Sequence, residues 1–436
     1  MKPVIRSRDL VILAAIALAV ACGLSSAGAI NIDGIGLDIL VALRYAVIGS
    51  RHQQDESPVA IVAVDEESYR RQPLADRPIA LWTPEIGRLV EALLDAGAAV
   101  IGFDIVLPTS AESFAPGYER DFLRALHRGG ASGRLLLGEV QQQEKPILPH
   151  RGQIIAAGSS NLRPLNVTED PDGVIRRVPL FLAGGSEPVP GFALELAGRF
   201  VGAAPEPIGN GDARLGERII HASSDGSLLV NFDGGGGGFP HYSFADLVAC
   251  VDAGRIDFLR KAFAGKVLLI GAVLDVEDRK LTSKRFATVP DGASDAPRCI
   301  LPPLAGLYRG DLARAVVPGA EIQASAVRDI LSEEWLRPLT PISRFAVLLL
   351  AAMLAAAAGM IVKLSTATRW ATSARGLTRR VGQYLTHGAL GSEMILSAGG
   401  REETALWSSV HQGDGLSAEP MIPLPVIKAL VDADSY

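Results

Sequence analysis

Two aspartates stand at or near the points where buried strands are expected to end. Asp65 closes the apolar run at residues 58–65, and Asp104 lies within a second apolar run at residues 99–108. Open parallel sheets bind ligands beyond the carboxyl ends of their strands, so Asp65 and Asp104 are candidates for lining a ligand pocket. The alternative is that these carboxylates cap the turns or helices that follow.

A third candidate is Arg176, which with Arg177 lies close to Asp170 and Asp172. Two adjacent guanidinium groups could bind an anion, and the alternative is a solvated, charged turn. The seven histidines are scattered without the HxxxH or HxxE spacing of a metal site. The sequence therefore predicts neither a metal ion nor another cofactor.

The segments around these residues alternate between strands and helices. The apolar runs at residues 58–65 and 99–108 enclose a helix at residues 83–95, with Thr83 as its predicted N-cap. Further strands are predicted at residues 152–159, 228–232 and 266–272, and further helices at residues 38–50, 192–201, 244–251 and 318–331. This order predicts an α/β fold with a mostly parallel sheet and a long irregular insertion at residues 275–317.

The composition allows two or three packed domains, because the chain has 436 residues and 48% of them are hydrophobic. The formal net charge of −6 gives no attraction to nucleic acid, which is therefore excluded as a partner. The mean hydropathy of +0.25 is high for a soluble protein, and two apolar segments account for much of it. This hydropathy therefore predicts that the protein is associated with a membrane.

Residues 10–30 and 345–362 are the two predicted transmembrane helices. Neither segment contains a charged residue, and a helix needs about 20 residues to cross the hydrocarbon layer. For the first segment, the alternatives are a cleaved signal peptide or a lipoprotein cleavage site at Cys22. For the second segment, the alternative is a buried, alanine-rich core helix.

Basic residues predict the orientation of these helices. Lys2, Arg6 and Arg8 precede the first segment, and Lys363 and four arginines up to Arg380 follow the second. Because basic flanks stay in the cytoplasm, residues 1–9 and 363–436 are predicted to be cytoplasmic. Residues 31–343 then form a domain outside the cytoplasm, periplasmic in a cell with two membranes. The predicted location is the cell inner membrane, with more than one crossing.

Cys250 and Cys299 lie in this central domain, and Cys22 is the third cysteine of the chain. An oxidising compartment would permit a disulfide between Cys250 and Cys299. The alternative is two buried free thiols, and the sequence does not decide between these possibilities.

Six blocks of sequence together resemble the CHASE2 extracytoplasmic sensor domain. They are PVAIVAVDEESYRR, LVEALLDAGAAVIGFDIVLP, DPDGVIRRVPL, LLVNFDG, AGKVLLIGA and VPGAEIQASAVRDIL, in this order. The resemblance covers residues 35–340 and implies a receptor for an external stimulus, with Asp65, Asp104 and Arg176 as a possible sensor pocket. CHASE2 domains belong to nucleotide cyclases, histidine kinases and serine/threonine kinases. Three membrane helices usually follow the domain, whereas one is predicted here.

The C-terminal segment is similar to the start of class III nucleotide cyclase domains. Residues 381–385, VGQYL, resemble the opening (F/V)GRYL segment, and residues 401–417 align without a gap to the pattern REVTVLFSDIRGFTTLS. Class III cyclases hold two divalent metal ions between two aspartates. The first of these aspartates falls on Ser409, whose neutral hydroxyl cannot replace an anionic ligand. No catalytic residue is therefore predicted.

The resemblance thus implies a membrane receptor of the adenylate or guanylate cyclase type. Residues 363–436 are expected to be a cytoplasmic linker and a truncated, degenerate cyclase remnant. A frameshift would explain the expected truncation. Whether the chain is an enzyme stays open, and an active cyclase is one alternative. The other alternative is an interaction protein that pairs with full-length receptor chains. A homodimer, or a heterodimer with related receptor chains, is the expected assembly.

Overall fold

The structure is a computed structural model that describes residues 30–142, 145–184, 187–233, 238–274, 279–287, 297–304, 316–340, 342–343 and 345–359. These residues fall into two compact units. One unit is Ile12–Met353, and the other combines Met1–Val11 with Leu354–Tyr436. In the second unit only residues 354–359 are described, and they are helical.

Helices and strands alternate along most of the described chain. The helices are α1 (Ile30–Ile48), α2 (Thr83–Asp95), α3 (Arg120–Ala131), α4 (Arg151–Ala157), α5 (Phe192–Val201), α6 (Phe244–Asp252), α7 (Ile256–Phe263) and α8 (Gly319–Ser332). The first eight strands are β1 (Val59–Val64), β2 (Val100–Asp104), β3 (Leu135–Glu139), β4 (Leu162–Pro164), β5 (Thr168–Glu169), β6 (Val174–Pro179), β7 (Phe181–Gly184) and β8 (Glu187–Pro190). The others are β9 (Pro205–Pro207), β10 (Ala213–Leu215), β11 (Arg218–Ile220), β12 (Ser227–Leu229), β13 (His241–Ser243), β14 (Val267–Ala272), β15 (Arg279–Thr282) and β16 (Val316–Pro318).

The central sheet has six strands in the order β13-β1-β14-β2-β3-β4, and every neighbouring pair is parallel. Strand β1 pairs with β14 along its whole length, from Val59 opposite Val267 to Val64 opposite Ala272. The predicted α/β fold with a mostly parallel sheet is therefore confirmed.

Both faces of this sheet are covered, which explains why β1 and β14 are apolar at every position. In β1, Ala60, Val62 and Val64 belong to the core on one face, which α2, α3, α6 and α7 also line, while Val59 and Ile61 belong to the core on the other face, with α5 and α8. Side chains alternate between the two faces of a strand, so a strand buried on both faces shows no polar alternation. The apolar sequence VAIVAV of β1 reflects the burial of every residue in the strand.

A second, mixed sheet carries residues that matter for the site. Its strand order is β12-β6-β15-β16, and β5 also pairs with β6. Strand β6 runs antiparallel to β12 and parallel to β15. Two smaller sheets complete the described domain, the hairpin β7-β8 and the three-stranded sheet β11-β10-β9.

Two of the predicted elements need correction. Residues 152–159 are predicted as a strand, but residues Arg151–Ala157 form α4. The His150 side chain caps this helix by accepting from the Gly152 backbone N–H, and Gln153 and Ala157 are buried one helical turn apart. The second correction concerns α2, which begins at Thr83 itself, with Trp82 as the N-cap. The predicted irregular insertion at residues 275–317 also needs correction, because β15 and the start of β16 lie within it and pair with each other.

Among the described residues, none of the helices combines the length and the apolar character needed to cross a bilayer. The first predicted transmembrane helix lies outside the described residues except for Ile30. Of the second, residues 345–359 are described and are helical.

Candidate functional site

A buried ion-pair network lies where α1 meets strand β6. Arg176 on β6 is 2% exposed, and its guanidinium group donates to three aspartates. Asp38 on α1 accepts from Nε at 2.9 Å and from Nη2 at 2.7 Å. Asp170 and Asp172, from the turn before β6, accept at 2.7 and 2.8 Å. Bidentate, charge-assisted bonds of this kind are strong and directional.

Arg285 is the second cation of this network. Its Nε lies 2.7 Å from Asp38 Oδ2, and its Nη2 lies 3.3 Å from Asp172 Oδ2. Asp38 is fully buried, so two arginines compensate its charge in place of water. Hydrogen bonds from Arg176 lower the pKa of Asp172 to about 2, so this carboxylate is ionised at neutral pH. We call the residues Asp38, Asp170, Asp172, Arg176 and Arg285 the Arg176 network.

The approach of α1 to β6 depends on the absence of a side chain at position 34. A Cβ atom at Gly34 would lie 2.8 Å from the Arg176 guanidinium carbon. Optimal carbon contacts are about 3.5–4.0 Å, so no larger residue fits without displacing Arg176. Glycine disfavours a helix interior, and its presence here indicates that the close approach is required.

The carboxyl end of α1 makes a second polar contact with the domain. Arg44 donates to Asn231 Oδ1 and to the Phe232 carbonyl oxygen, each at 2.6 Å. Asn231 donates its backbone N–H to Asp329 on α8 at 2.6 Å, and its side-chain N–H to the Glu334 carbonyl oxygen at 2.7 Å. Through Asn231, α1 is therefore linked to α8 and to the segment that follows α8.

The segment after α1 reaches the same region. The Ser50 hydroxyl donates to Asp233 at 2.9 Å. His52 lies between two carboxylates, with Nδ1 3.2 Å from Asp233 Oδ2 and Nε2 3.1 Å from Glu334 Oε2. Burial opposes ionisation of Asp233, but the Ser50 hydrogen bond and the charge of Arg328 lower its pKa. The residues that follow α1 and those that follow α8 thus meet through charged side chains.

Part of the predicted irregular insertion is fixed to α6. Cys250 on α6 forms a disulfide with Cys299. The Asp246 carboxylate, also on α6 and 2% exposed, accepts from the backbone N–H groups of Cys299, Ile300 and Leu301 at 2.6–3.0 Å. The two cysteines are therefore not free thiols. Disulfides persist in oxidising compartments outside the cytoplasm.

The family of the chain follows from comparison with protein-family models. The model of the CHASE2 domain matches residues 13–361, which are most of the chain. The protein belongs to the CHASE2 family. CHASE2 domains are extracytoplasmic sensor domains, so this chain carries a sensor domain with a role in signalling. No curated protein and no solved structure matches the chain.

Within the CHASE2 domain, Asp65 and Asp104 both lie at the carboxyl edge of the central sheet, with β14 between their strands. Asp65 accepts from the Ser68 hydroxyl at 2.6 Å and from the Ser243 hydroxyl at 3.1 Å, and burial raises its pKa. It thereby holds the turn after β1 against the start of α6. Arg176 lies on the other sheet, and no contact joins it to either aspartate within the described part of the chain.

The positions of Arg176 and Arg177 contradict the interpretation of this segment as a solvated, charged turn. Both residues lie on β6, and Arg176 is almost fully buried. Arg177 remains 24% exposed and pairs with Asp170 at 2.7 Å and Asp225 at 2.8 Å. The guanidinium groups are thus occupied by aspartates of the same chain rather than presented to an external anion.

Asp104 has weaker support from its neighbours than Asp65. It pairs in register with Gly271 of β14, and a Cβ atom at Gly319, the first residue of α8, would lie 3.6 Å from its Oδ2. Burial raises the pKa of Asp104 to about 8. The CHASE2 domain therefore holds a mostly neutral carboxyl group beside the start of α8 at pH 7.

Replacing Asp104 with asparagine is expected to remove a pH-dependent loss of stability. The folded carboxyl group keeps its proton up to about pH 8, whereas an unfolded aspartate loses it near pH 4. The folded state binds more protons in this window, so its stability falls as pH rises through it. Urea unfolding should show the wild type losing up to about 1.4 kcal/mol per pH unit relative to D104N. The exposed control Asp121→Asn should follow the wild type, and parallel curves for wild type and D104N would contradict the assignment.

The sequence patterns do not single out Asp38 or Arg285, which complete the Arg176 network. Asp38 leaves a usable signal, because it lies among apolar residues in the segment GLDILVAL of α1, and a buried carboxylate must find a partner or cost several kcal/mol. Arg285 leaves none, since it lies in the irregular insertion. Ser409 and the rest of the cyclase-like segment lie outside the described residues. Within the described ranges, no group of three His, Cys, Asp or Glu side chains is placed to hold a metal ion.

Proposed function

We propose that the protein is a membrane receptor whose CHASE2 domain passes an external stimulus to the membrane through α1. The observation that carries this proposal is the ion pair between Asp38 and Arg176, at 2.7 Å and with both side chains almost fully buried. Helix α1 begins at Ile30, the last residue of the apolar segment at residues 10–30. A helix held by buried charges moves with the domain. A rearrangement in the domain would therefore move α1 and, with it, the proposed membrane-spanning segment at residues 10–30.

The proposed location is the cell inner membrane, with crossings at residues 10–30 and 345–362 and the domain in the periplasm. The apolar length of both segments and their basic flanks support this topology. The Cys250–Cys299 disulfide supports the periplasmic placement. Alkaline phosphatase is active only outside the cytoplasm, so a fusion after Gly202 should be active and a fusion after Gly400 inactive. The opposite pattern would refute the proposed topology.

The proposed output is the control of cyclic nucleotide synthesis, without catalysis by this chain itself. The likeness of residues 381–385 and 401–417 to class III cyclases supports the output, and Ser409 at the position of a metal-binding aspartate supports the lack of activity. Purified protein incubated with ATP or GTP and Mg²⁺ or Mn²⁺ should form no cyclic nucleotide. Formation of either product would establish the alternative, an active cyclase.

We further propose that α1 pairs with a second copy, or with the same helix of a related receptor chain. One side of α1, opposite Asp38 and Val41, exposes apolar residues at spacings of three and four, as two-helix seams do. These residues are Ile35, Ile39, Leu40, Leu43 and Val47, with exposures of 41–82%. Within residues 34–48, the two charged side chains of α1, Asp38 and Arg44, are both bonded to the domain, so neither would repel an identical helix. Co-purification of two differently tagged copies tests the pairing, and recovery of one tag alone would contradict it.

A further inference from the structure

A histidine joins the segment that follows α1 to the segment that follows α8. His52 comes after α1, which ends at Ile48, and Glu334 comes after α8, which ends at Ser332. The Nδ1 atom of His52 lies 3.2 Å from Asp233 Oδ2, and its Nε2 atom lies 3.1 Å from Glu334 Oε2. The imidazole ring therefore has a carboxylate oxygen at each of its nitrogens. We call His52, Asp233 and Glu334 the His52 bridge.

Only a protonated ring suits both of these neighbours. An imidazolium ion has an N–H group at each nitrogen, whereas a neutral imidazole has one N–H group and one acceptor nitrogen. In the neutral form, one of the two carboxylates would face a lone pair instead of an N–H group. Histidine is also the side chain whose type changes charge between about pH 5 and 8. The complete bridge therefore needs the charged form of His52.

Glu334 is the member of the bridge that depends most on charge. Its Oε2 atom is buried and accepts no well-directed hydrogen bond within the described part of the chain. Two cations lie within ion-pair distance of this atom, His52 Nε2 at 3.1 Å and Arg51 Nη2 at 3.3 Å. Arginine stays charged at every pH at which proteins are folded. His52 is therefore the partner whose attraction for Glu334 changes with pH.

Asp233 holds the other end of the bridge in both charge states of the ring. Its carboxylate accepts from the Ser50 hydroxyl at 2.9 Å and from the backbone N–H groups of Arg51 and His52 at 3.1 and 3.3 Å. The Asp233 side chain is 5% exposed, against 37% for Glu334. The better shielded carboxylate attracts the remaining proton more strongly, so a neutral ring keeps it on Nδ1. The Nε2 lone pair then faces Glu334.

Three further charged groups act on the members of this site. Arg44 on α1 and Arg328 on α8 are cations that interact with Asp233, and Asp329 on α8 interacts with Arg51. Burial raises the pKa of Asp329 to about 7, so this carboxyl group also titrates near neutrality. A test of the bridge must therefore separate the pH response of His52 from that of Asp329.

We infer that the His52 bridge is a pH-sensitive connection between α1 and α8. In acid, the charged ring holds Glu334, and with it the turn after α8, against the segment after α1. As the pH rises the ring loses its proton, and Arg51 alone then attracts Glu334. The turn after α8 opens more often in that state. That acidity outside the cytoplasm is a stimulus of the protein rests on the proposed receptor function, in which both segments lead to membrane crossings.

Hydrogen exchange of the purified full-length protein at about pH 5.5 and about pH 8 tests this connection. The backbone N–H groups of Glu334 and Leu336 donate to the Asp329 and Leu229 carbonyl oxygens at 2.9 and 3.0 Å, so they report opening of the turn. Their protection factors refer to an unfolded chain at the same pH, which removes the direct effect of pH on exchange. From the lower to the higher pH, protection should fall about 2- to 5-fold more in the wild type than in His52→Gln.

The variants assign this difference to the bridge. Glutamine at position 52 can donate to Asp233 but does not titrate, so any fall that remains in His52→Gln comes from Asp329. Glu334→Gln should lose the same part of the response, because a carboxamide carries no charge for His52 to attract. His221→Gln is the matched control, since His221 has the Asp212 carboxylate 3.0 Å from Nδ1, a contact that a neutral tautomer also makes. This control should respond to pH as the wild type does.

Two results would overturn the proposal: wild-type protection that does not change with pH, or an equal fall in the wild type and His52→Gln. A thermal melt of each variant shows whether it is folded. If His52→Gln does not fold, Glu334→Gln decides, because its side chain is partly exposed and an unreduced pH response in it also contradicts the bridge. The exchange of backbone amides needs no membrane and no cyclic nucleotide readout. Failure of the bridge would therefore leave the receptor proposal untouched, and failure of the receptor proposal would leave a measured pH response intact.

Discussion

Replacing Arg176 with methionine is expected to lower the free energy of unfolding by about 3–5 kcal/mol. Methionine fills much of the same space but leaves Asp38 and Asp170 without the guanidinium group that they share. Asp38 is fully buried, so water cannot replace the lost partner. Urea unfolding of the purified protein, followed by far-UV circular dichroism, measures the loss.

Arg177 provides the matched control, because it is the neighbouring residue on the same strand and also pairs with Asp170. It is 24% exposed, so Arg177→Met should cost at most about 1 kcal/mol. The double variant Asp38→Asn/Arg176→Met should lose less than the sum of its single variants, since each single change strands a charge that the double change removes. Equal losses for Arg176→Met and Arg177→Met would show that the buried network does not hold α1.

The second large effect is expected at the disulfide. Replacing both Cys250 and Cys299 with alanine should lower the free energy of unfolding by about 2–4 kcal/mol. The bond closes a loop with a sequence separation of 49, so its removal gives the unfolded chain many more conformations. Urea unfolding with and without dithiothreitol measures this effect.

Dithiothreitol supplies the internal control for this variant. Reduced wild-type protein should match the double alanine variant, and the variant itself should not respond to the reductant. The Asp246 hydrogen bonds to residues 299–301 do not involve the sulfur atoms, so they should keep this segment in place in the folded variant. The loss of the disulfide should therefore act mainly on the unfolded state. A wild-type protein whose stability is the same in oxidised and reduced form would contradict the expected contribution of the bond.

The central sheet could be predicted from sequence because its signal is local. Strands β1 and β14 are short apolar runs, and α2 between β1 and β2 shows helical spacing of Ile86, Leu89 and Leu93. Each of these patterns lies within one element. Burial on both faces of the sheet makes such patterns strong.

The site could be predicted only in part, because its contacts join distant segments. Arg176 was a candidate from its neighbours Asp170 and Asp172, but the partner that buries it, Asp38, lies far away on α1. Nothing in the local sequence indicates that the side chain of Arg176 on β6 is buried in the protein interior. The same holds for Cys299, whose fixed position depends on Asp246 and Cys250 of α6. Pairings of this type depend on tertiary structure, which periodicity does not report.

The strand order of the central sheet constrains how the domain can fold during export. Strand β1 is an inner strand with a neighbour on each side, yet both neighbours, β13 and β14, come much later in the chain. The backbone of residues 59–64 therefore cannot be paired on one side until residue 243 is available, or on the other side until residue 272 is available. Such long-range pairing slows folding and leaves an apolar strand open to aggregation meanwhile. Chaperones that shield β1 until the second half of the domain has been made are therefore expected to improve the yield of folded protein.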